Sequence, residues 1–275
     1  MKSHRKTDPS HVQSVERALL LLELIGKRDE GTPLSRLSAD SGLTSSTAHR
    51  LLTTMSASGF VQFDSRSNSW AVGRKAFQVG MSFAHRKNLV LPALPIMRRL
   101  REETNETINF GVRAEDDIVT LAQVESRHVM RAVSVIGGLT PLMNCALGKA
   151  ILATFPNDAI RHLAKRHAMP SYTAHSIRST KALLEDIEAV RLRGFAIDDG
   201  EFMVNVRCVA VPVFDPLGDA VGGLSISALT ARVDAARFQE LGQAALRAGL
   251  QLTQTLGGTV RHPLGPENSK VKNKE

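Results

Sequence analysis

The sequence predicts an α+β protein in two parts: a small helical unit that ends in a hairpin, then a larger unit built on a mostly antiparallel sheet with helices around it. Three observations predict it. Residues 32–74 hold two short helical patterns separated by a glycine, followed by two apolar runs around a polar turn. Residues 107–138 and 195–229 read as strands punctuated by turns. Helical periodicity lies between and after those runs, ending in a long helix over 233–256. A chain of 275 residues is long enough to give each part its own core.

In chain order, residues 1–11 are polar and carry Lys2, Arg5 and Lys6 without an apolar period, which predicts a flexible arm. The folded part starts at 12. Val12, Val15, Leu19, Leu22 and Ile25 then recur on one face of a helix, and KRDEG breaks the pattern. Thr32 is a candidate N-cap with Pro33 as first helical residue, Leu34 and Leu37 form an apolar side, and Gly42 permits a tight turn. A second helix begins near Thr44 with Ala48, Leu51, Leu52 and Met55 as its buried stripe. Its other face offers Ser45, Ser46, Thr47, His49, Arg50 and Thr53, short hydrogen-bonding side chains around a cation, which suit the edges of bases in a major groove. After Gly59, FVQF and WAV bracket DSRSNS, a hairpin with Arg66 near its tip, placed to meet the backbone or minor groove. Helix, turn, reading helix and wing over 12–74 make a winged helix-turn-helix.

Charge agrees with a DNA-reading head. Residues 1–87 carry 13 Lys/Arg against 7 Asp/Glu, a net +6, whereas residues 88–275 carry 22 against 20. The excess positive charge therefore sits on the part that holds the reading helix, where attraction to phosphates supplies affinity. No run approaches the ~20 apolar residues that span a bilayer. Met1–Gln13 lacks the charged-then-apolar pattern of a secretory leader. The two cysteines, Cys145 and Cys208, form no disulfide framework and suit a reducing cytoplasm. His162 and His167 are five apart and share no helix face, so neither metal nor cofactor is expected.

Residues 75–90 read as a linker helix, with Phe77, Gly80, Met81 and Ala84 as an apolar side that could pair with a second subunit. Pro92 and Pro95 open the second unit, 91–258, where Leu94, Met97 and Leu100 form a helix face. Strands follow with turns at AEDD and ESRH and continue through VMRAVSVIGG. ALGKAILATF, NDAIRHLAKR and STKALLEDIEAVRLRG are helical, the last capped by Gly194. FAIDDGEF is a strand, and VRCVAVPVF and AVGGLSISAL are strands joined by a DPLGD turn. Residues 259–275 read as a disordered tail.

The last two strands suggest a ligand pocket. Strand side chains alternate faces, so Gly223, Ser225 and Ser227 oppose Leu224, Ile226 and Ala228, while Val206, Cys208 and Ala210 share a face on the preceding strand. With Asp198-Asp199 close in sequence, this places hydroxyls, a thiol and a carboxyl group around a space suited to a small polar metabolite; the alternative is solvent-facing serines. Gly148 and Lys149 lie near a helix start, although a lysine there is usually solvated.

These residues carry a family resemblance. SVERALLLLELI, LTSSTAHRLLTTMSASGFV, ALGKAILA, RGFAIDDGEF and VRCVAVPVFDPLGDAVGGLSIS resemble, in order and spacing, the IclR-type bacterial transcriptional regulators from about Val12 to Gly258. The resemblance implies a winged helix, a linker helix, a C-terminal GAF-like effector-binding domain, and dimers or tetramers on palindromic double-stranded DNA. It also implies a small carboxylate effector, glyoxylate or pyruvate in some relatives. For that ligand it implies Asp198, Cys208, Ser225 and Ser227 as contacts, backbone N–H groups at Ala146 and Leu147, and apolar walls from Val129 and Ala132. Leu147 stands where those relatives carry a smaller residue. Two other readings compete: a binding module without specific DNA function, and an enzyme with Cys208 or Cys145 as nucleophile. The latter lacks a nearby histidine base or a nucleophile elbow in the sequence.

Overall fold

The computed structural model describes residues 12–260, apart from 29, 86–88, 133 and 167–168. The arm expected over 1–11, the tail from 261, the end of the linker and His167 lie outside the described residues. The chain divides into two compact units, 1–87 and 88–275.

In the first unit, α1 (Gln13–Gly26), α2 (Leu34–Ser41) and α3 (Ser45–Ala57) pack around Leu21, Ile25, Leu37, Ala48 and Leu52. The antiparallel hairpin of β1 (Val61–Asp64) and β2 (Ser69–Val72) closes this core with Val61 and Trp70. Helix α1 buries only the C-terminal part of the expected face, Ile25 with Leu22 packed against the core, and adds Leu21. Val12, Val15 and Leu19 are exposed, while Leu21 and Ile25 are buried. Thr32 does not cap α2 either. Pro33 occupies the N-cap without a side-chain bond, and Thr32 exchanges both backbone hydrogen bonds with Trp70, adding a one-residue third strand to the wing. At the next helix the expected cap is present: Thr44 Oγ1 accepts the Thr47 N–H at 3.3 Å. Gly42 sits between α2 and α3 at φ 70°, a conformation that side chains with a Cβ adopt rarely. Helix α4 (Arg74–His85) follows the wing, starting one residue before the linker expected over 75–90.

The second unit has one six-stranded antiparallel sheet in the order β5-β4-β3-β8-β7-β6. Its strands are β3 (Thr107–Ala114), β4 (Asp117–Val124), β5 (Leu139–Pro141), β6 (Ala196–Asp199), β7 (Val206–Phe214) and β8 (Ala220–Leu229). Two helices, α5 (Val90–Thr104) and α9 (Ala235–Thr255), cover one face. There Ile108, Phe110, Val209, Val211, Leu224 and Ile226 meet Met97, Leu100, Leu241 and Ala245. On the other face lie α6 (Ala146–Leu152), α7 (Asn157–Arg166) and α8 (Thr180–Arg193), with Ile151, Ile160, Leu183 and Ile187 in a second core. Alternation along β7 and β8 thus divides two apolar layers, and the small and polar members fall on the α6 side. Residues 129–132 and 134–138, expected to extend as strand, form a loop, and the strand comes later, at β5. Val129, Met130, Val135 and Ile136 are exposed along that loop, so their apolar character marks no sheet face.

Candidate functional site: a DNA-reading head and a cavity beside the sheet

On the head, Ser45, Ser46, His49 and Arg50 are exposed on α3. Thr47 is half-buried, and its hydroxyl accepts from Thr44 Oγ1 at 2.9 Å, so it also serves the cap. The His49 ring meets Trp70 edge-on with centroids 6.3 Å apart, linking the reading helix to the wing. At the wing tip Asp64 Oδ1 accepts the Arg66 N–H at 2.9 Å and Asp64 Oδ2 the Ser67 hydroxyl at 3.0 Å. Those bonds hold the Asp64 carboxyl below its usual range and shape the turn that carries the exposed Arg66. The arrangement is a polar, cationic helix beside a fixed hairpin tip, which is what insertion into a groove with a flanking backbone contact requires.

In the second unit, a cavity of about 260 Å³ opens between the sheet and the start of α6. Seven of the eight expected effector residues line it: Ala132, Ala146, Leu147, Asp198, Cys208, Ser225 and Ser227. The eighth, Val129, does not; it is 94% exposed in the loop after β4. The register explains the grouping, because Asp198 pairs with Cys208 and Cys208 with Ser227 across β6, β7 and β8. Cys208 Sγ donates to Ser227 Oγ at 3.1 Å, Asn109 Nδ2 donates to the same oxygen at 3.1 Å, and Gln123 Nε2 donates to Asn109 Oδ1 at 2.9 Å. Asn109, Thr120, Arg131 and Asn205 also line the cavity and were missed from sequence. For Asn109 a signal existed, since it alternates with Ile108 and Phe110 as a polar residue in an apolar strand. The space beside Gly223 is filled from within, because a Cβ there would lie 2.9 Å from Leu147 Cδ2. Gly148 is needed for close approach: a Cβ would sit 1.8 Å from the Leu142 carbonyl oxygen.

The cavity wall carries unusual acids. Asp198 is 4% exposed, and its Oδ1 accepts the Glu201 N–H at 2.7 Å. Burial pushes its carboxyl up to about 6, against the lowering effect of that bond and of Lys149. Burial also pushes Glu201 up to about 7 despite Lys149. Lys149 is not solvated: it is fully buried, with Nζ 2.5 Å from Glu201 Oε1 and 2.8 Å from Asp186 Oδ2. Burial works against its charge, but the two carboxylates raise it above the usual lysine range. The cation that lines the cavity, Arg131, is bonded to Glu125, Nε to Oε2 at 2.7 Å. Burial drives Cys145 up to about 12 and Cys208 upward as well, so both are neutral thiols near pH 7. Among the described residues no group of three or more His, Cys, Asp or Glu could hold a metal ion, and no helix is long and apolar enough to cross a membrane.

A winged head with a cationic reading helix, followed by an antiparallel-sheet domain holding a cavity lined by apolar and polar groups, defines a DNA-binding transcriptional regulator. Residues 14–65 match the IclR helix-turn-helix domain, and residues 81–254 match the bacterial transcriptional regulator IclR C-terminal domain. The chain is 36% identical over 249 residues to the transcriptional repressor IclR of Escherichia coli strain K12, covering 90% of this chain and 91% of that protein. Among solved structures, Thermotoga maritima IclR superposes with a TM-score of 0.78 at 24% identity, over 90% of this chain and 100% of that one. An IclR homologue from Microbacterium hydrocarbonoxydans, complexed with 4-hydroxybenzoate, superposes at 0.76 with 17% identity, over 89% and 99%. The chain belongs to the IclR family of bacterial transcriptional regulators.

Proposed function

We propose that this regulator is a cytoplasmic repressor that binds a palindromic operator as a dimer or tetramer, under control of a small carboxylate or oxo-acid such as glyoxylate or pyruvate. Ser45, Ser46, Thr47, His49 and Arg50 read the groove or hold phosphates, and Arg66 contacts backbone or minor groove. The observation that carries the effector reading is the cavity: about 260 Å³, with Asn109, Cys208, Ser225 and Ser227 presenting polar atoms on one wall and Ala132, Ala146 and Leu147 opposing them with apolar surface. That volume equals roughly nine water molecules at about 30 Å³ each, so it admits glyoxylate or pyruvate and larger acids too. Repression is supported by the relative named as a repressor, and a carboxylate by the homologue complexed with 4-hydroxybenzoate.

To act as a switch, the acid must bind one arrangement of the protein better than another; tight but equal binding shifts nothing. Titration calorimetry with glyoxylate and pyruvate tests the ligand class. Saturable binding that Ser225→Ala plus Ser227→Ala removes supports it, and absence of binding by either acid contradicts it.

A further inference from the structure

We propose that Lys149 is a positioning residue of the effector cavity, whose buried ammonium acts through Glu201 to hold segment 200–205 as the cavity's outer wall. The inference rests on the reading of the cavity as the effector site. Segment 200–205 borders both the cavity and solvent. Phe202, Met203 and Asn205 line the cavity, yet Met203 and Val204 are more than half exposed. The segment leaves β6 at Gly200, whose φ of 75° is open to glycine and strained for other residues, so the backbone turns there.

Little inside the segment would hold it in place, and its fixed points come from elsewhere in the unit. Thr173 Oγ1 donates to the Gly200 carbonyl at 2.7 Å, and Ser176 Oγ donates to the Glu201 carbonyl at 2.7 Å. Asp198 Oδ1 takes the Glu201 N–H, so the same residue that faces the cavity also anchors the segment. The Glu201 side chain is held by Lys149, while its Oε2 is buried without a hydrogen-bond partner among the described residues.

The position of Lys149 gives this pair its meaning. Helix α6 is buried along its whole length, and an apolar side chain at 149 would satisfy it. A buried ammonium is costly unless its partners stay in place. Lys149 lies three and four residues after Ala146 and Cys145, on the helix face whose first turn lines the cavity. Its second partner, Asp186, belongs to α8 and also lies 3.6 Å from Arg193. The cation thus ties the cavity floor, the outer segment and α8 together, and any displacement of the segment strips Lys149 of one of its two carboxylates.

The test uses the full chain with Glu201→Gln, which keeps side-chain shape and removes the charge, beside Lys149→Met and the double variant. Hydrogen exchange is read at the amides of 201–206 without ligand, and affinity for glyoxylate and pyruvate by calorimetry. Expected in Glu201→Gln is at least tenfold faster exchange confined to 201–206, unchanged protection in β8 and in β7 beyond Val206, and at least tenfold weaker acid binding. The double variant should lose no more than the worse single one, because the two residues act as one unit. Exchange that is unchanged at 201–206, or that rises uniformly across the domain, overturns the proposal. Should the wild-type chain bind neither acid, the small-acid reading fails while the exchange pattern still decides the role of Lys149.

Discussion

Cys208 and Ser227 face each other across β7 and β8, with the thiol donating to the hydroxyl at 3.1 Å on the wall of the cavity. Asn109 donates to the same oxygen, so Ser227 enters any ligand complex already oriented by two neighbours. Preorganisation of this kind would lower the ordering cost of binding a small partner with matching polar atoms. Replacing both Ser225 and Ser227 with alanine should abolish the effector response while operator binding persists. The loss of a partner for Asn109 should cost about 1–2 kcal/mol in stability. Band-shift titration with thermal melting checks both, and a retained response would remove these serines from the site.

Arg50 is exposed on α3, and Trp70 steadies the neighbouring His49 from the wing side. Arg50→Ala should weaken operator binding about ten- to a hundredfold, the range set by losing one charged base or phosphate contact. Tm should be unchanged. Fluorescence anisotropy on labelled operator at two salt concentrations measures it, and wild-type affinity in a folded variant would move the reading face elsewhere.

Asp198 makes stability depend on pH with a definite sign. Its carboxyl titrates near 4 in the unfolded chain and at about 6 when folded, because burial disfavours the charge. Between those values the folded state holds the proton that the unfolded state has released. Stability therefore falls as pH rises from 4 to 6 and stays reduced above. Asp198→Asn abolishes that contribution. The variant should match wild type near pH 4 and exceed it at pH 7.5 by on the order of 2–3 kcal/mol, while losing effector binding. Denaturant melts at the two pH values read the difference; equal curves at pH 7.5 would show the carboxylate to be better solvated than its burial implies.

Gly148→Ala should be poorly tolerated. The new Cβ would lie 1.8 Å from the Leu142 carbonyl oxygen, a backbone atom that cannot rotate aside, so the start of α6 must shift. A destabilisation of at least about 2 kcal/mol and a weakened effector response are expected. Wild-type Tm and response together would show that this approach is loose.

The parts of this design that were legible in the sequence are those set by neighbouring residues. The stripe Ala48, Leu51, Leu52, Met55 defines the reading helix, and the alternation Ser225, Ile226, Ser227 defines a strand with one polar side, because period alone decides which side chains share a face. Helix α1 shows where that signal fails. With apolar residues at Leu19, Leu20, Leu21, Leu22 and Leu24, more than one stripe satisfies the helical period, and the fold keeps the expected Leu22 and Ile25 at the core but adds Leu21 and leaves Val12, Val15 and Leu19 exposed. Partners distant in sequence were hidden for a different reason, because periodicity reports only on neighbours along the chain. Lys149 meets Glu201 across 52 residues, and Thr32 pairs with Trp70 through backbone groups that side-chain chemistry does not reveal. Val129 is a loop residue whose apolar side chain says nothing about which way it points.

The measurement that tests the central claim most directly is a band-shift titration on DNA from upstream of the chain's own coding region, with and without glyoxylate and pyruvate. A specific complex at moderate salt that one of these acids dissolves is expected, with the response lost in the Ser225→Ala, Ser227→Ala double variant. A specific complex indifferent to both acids would contradict the assignment of the cavity, and no specific complex at all would contradict the regulator itself.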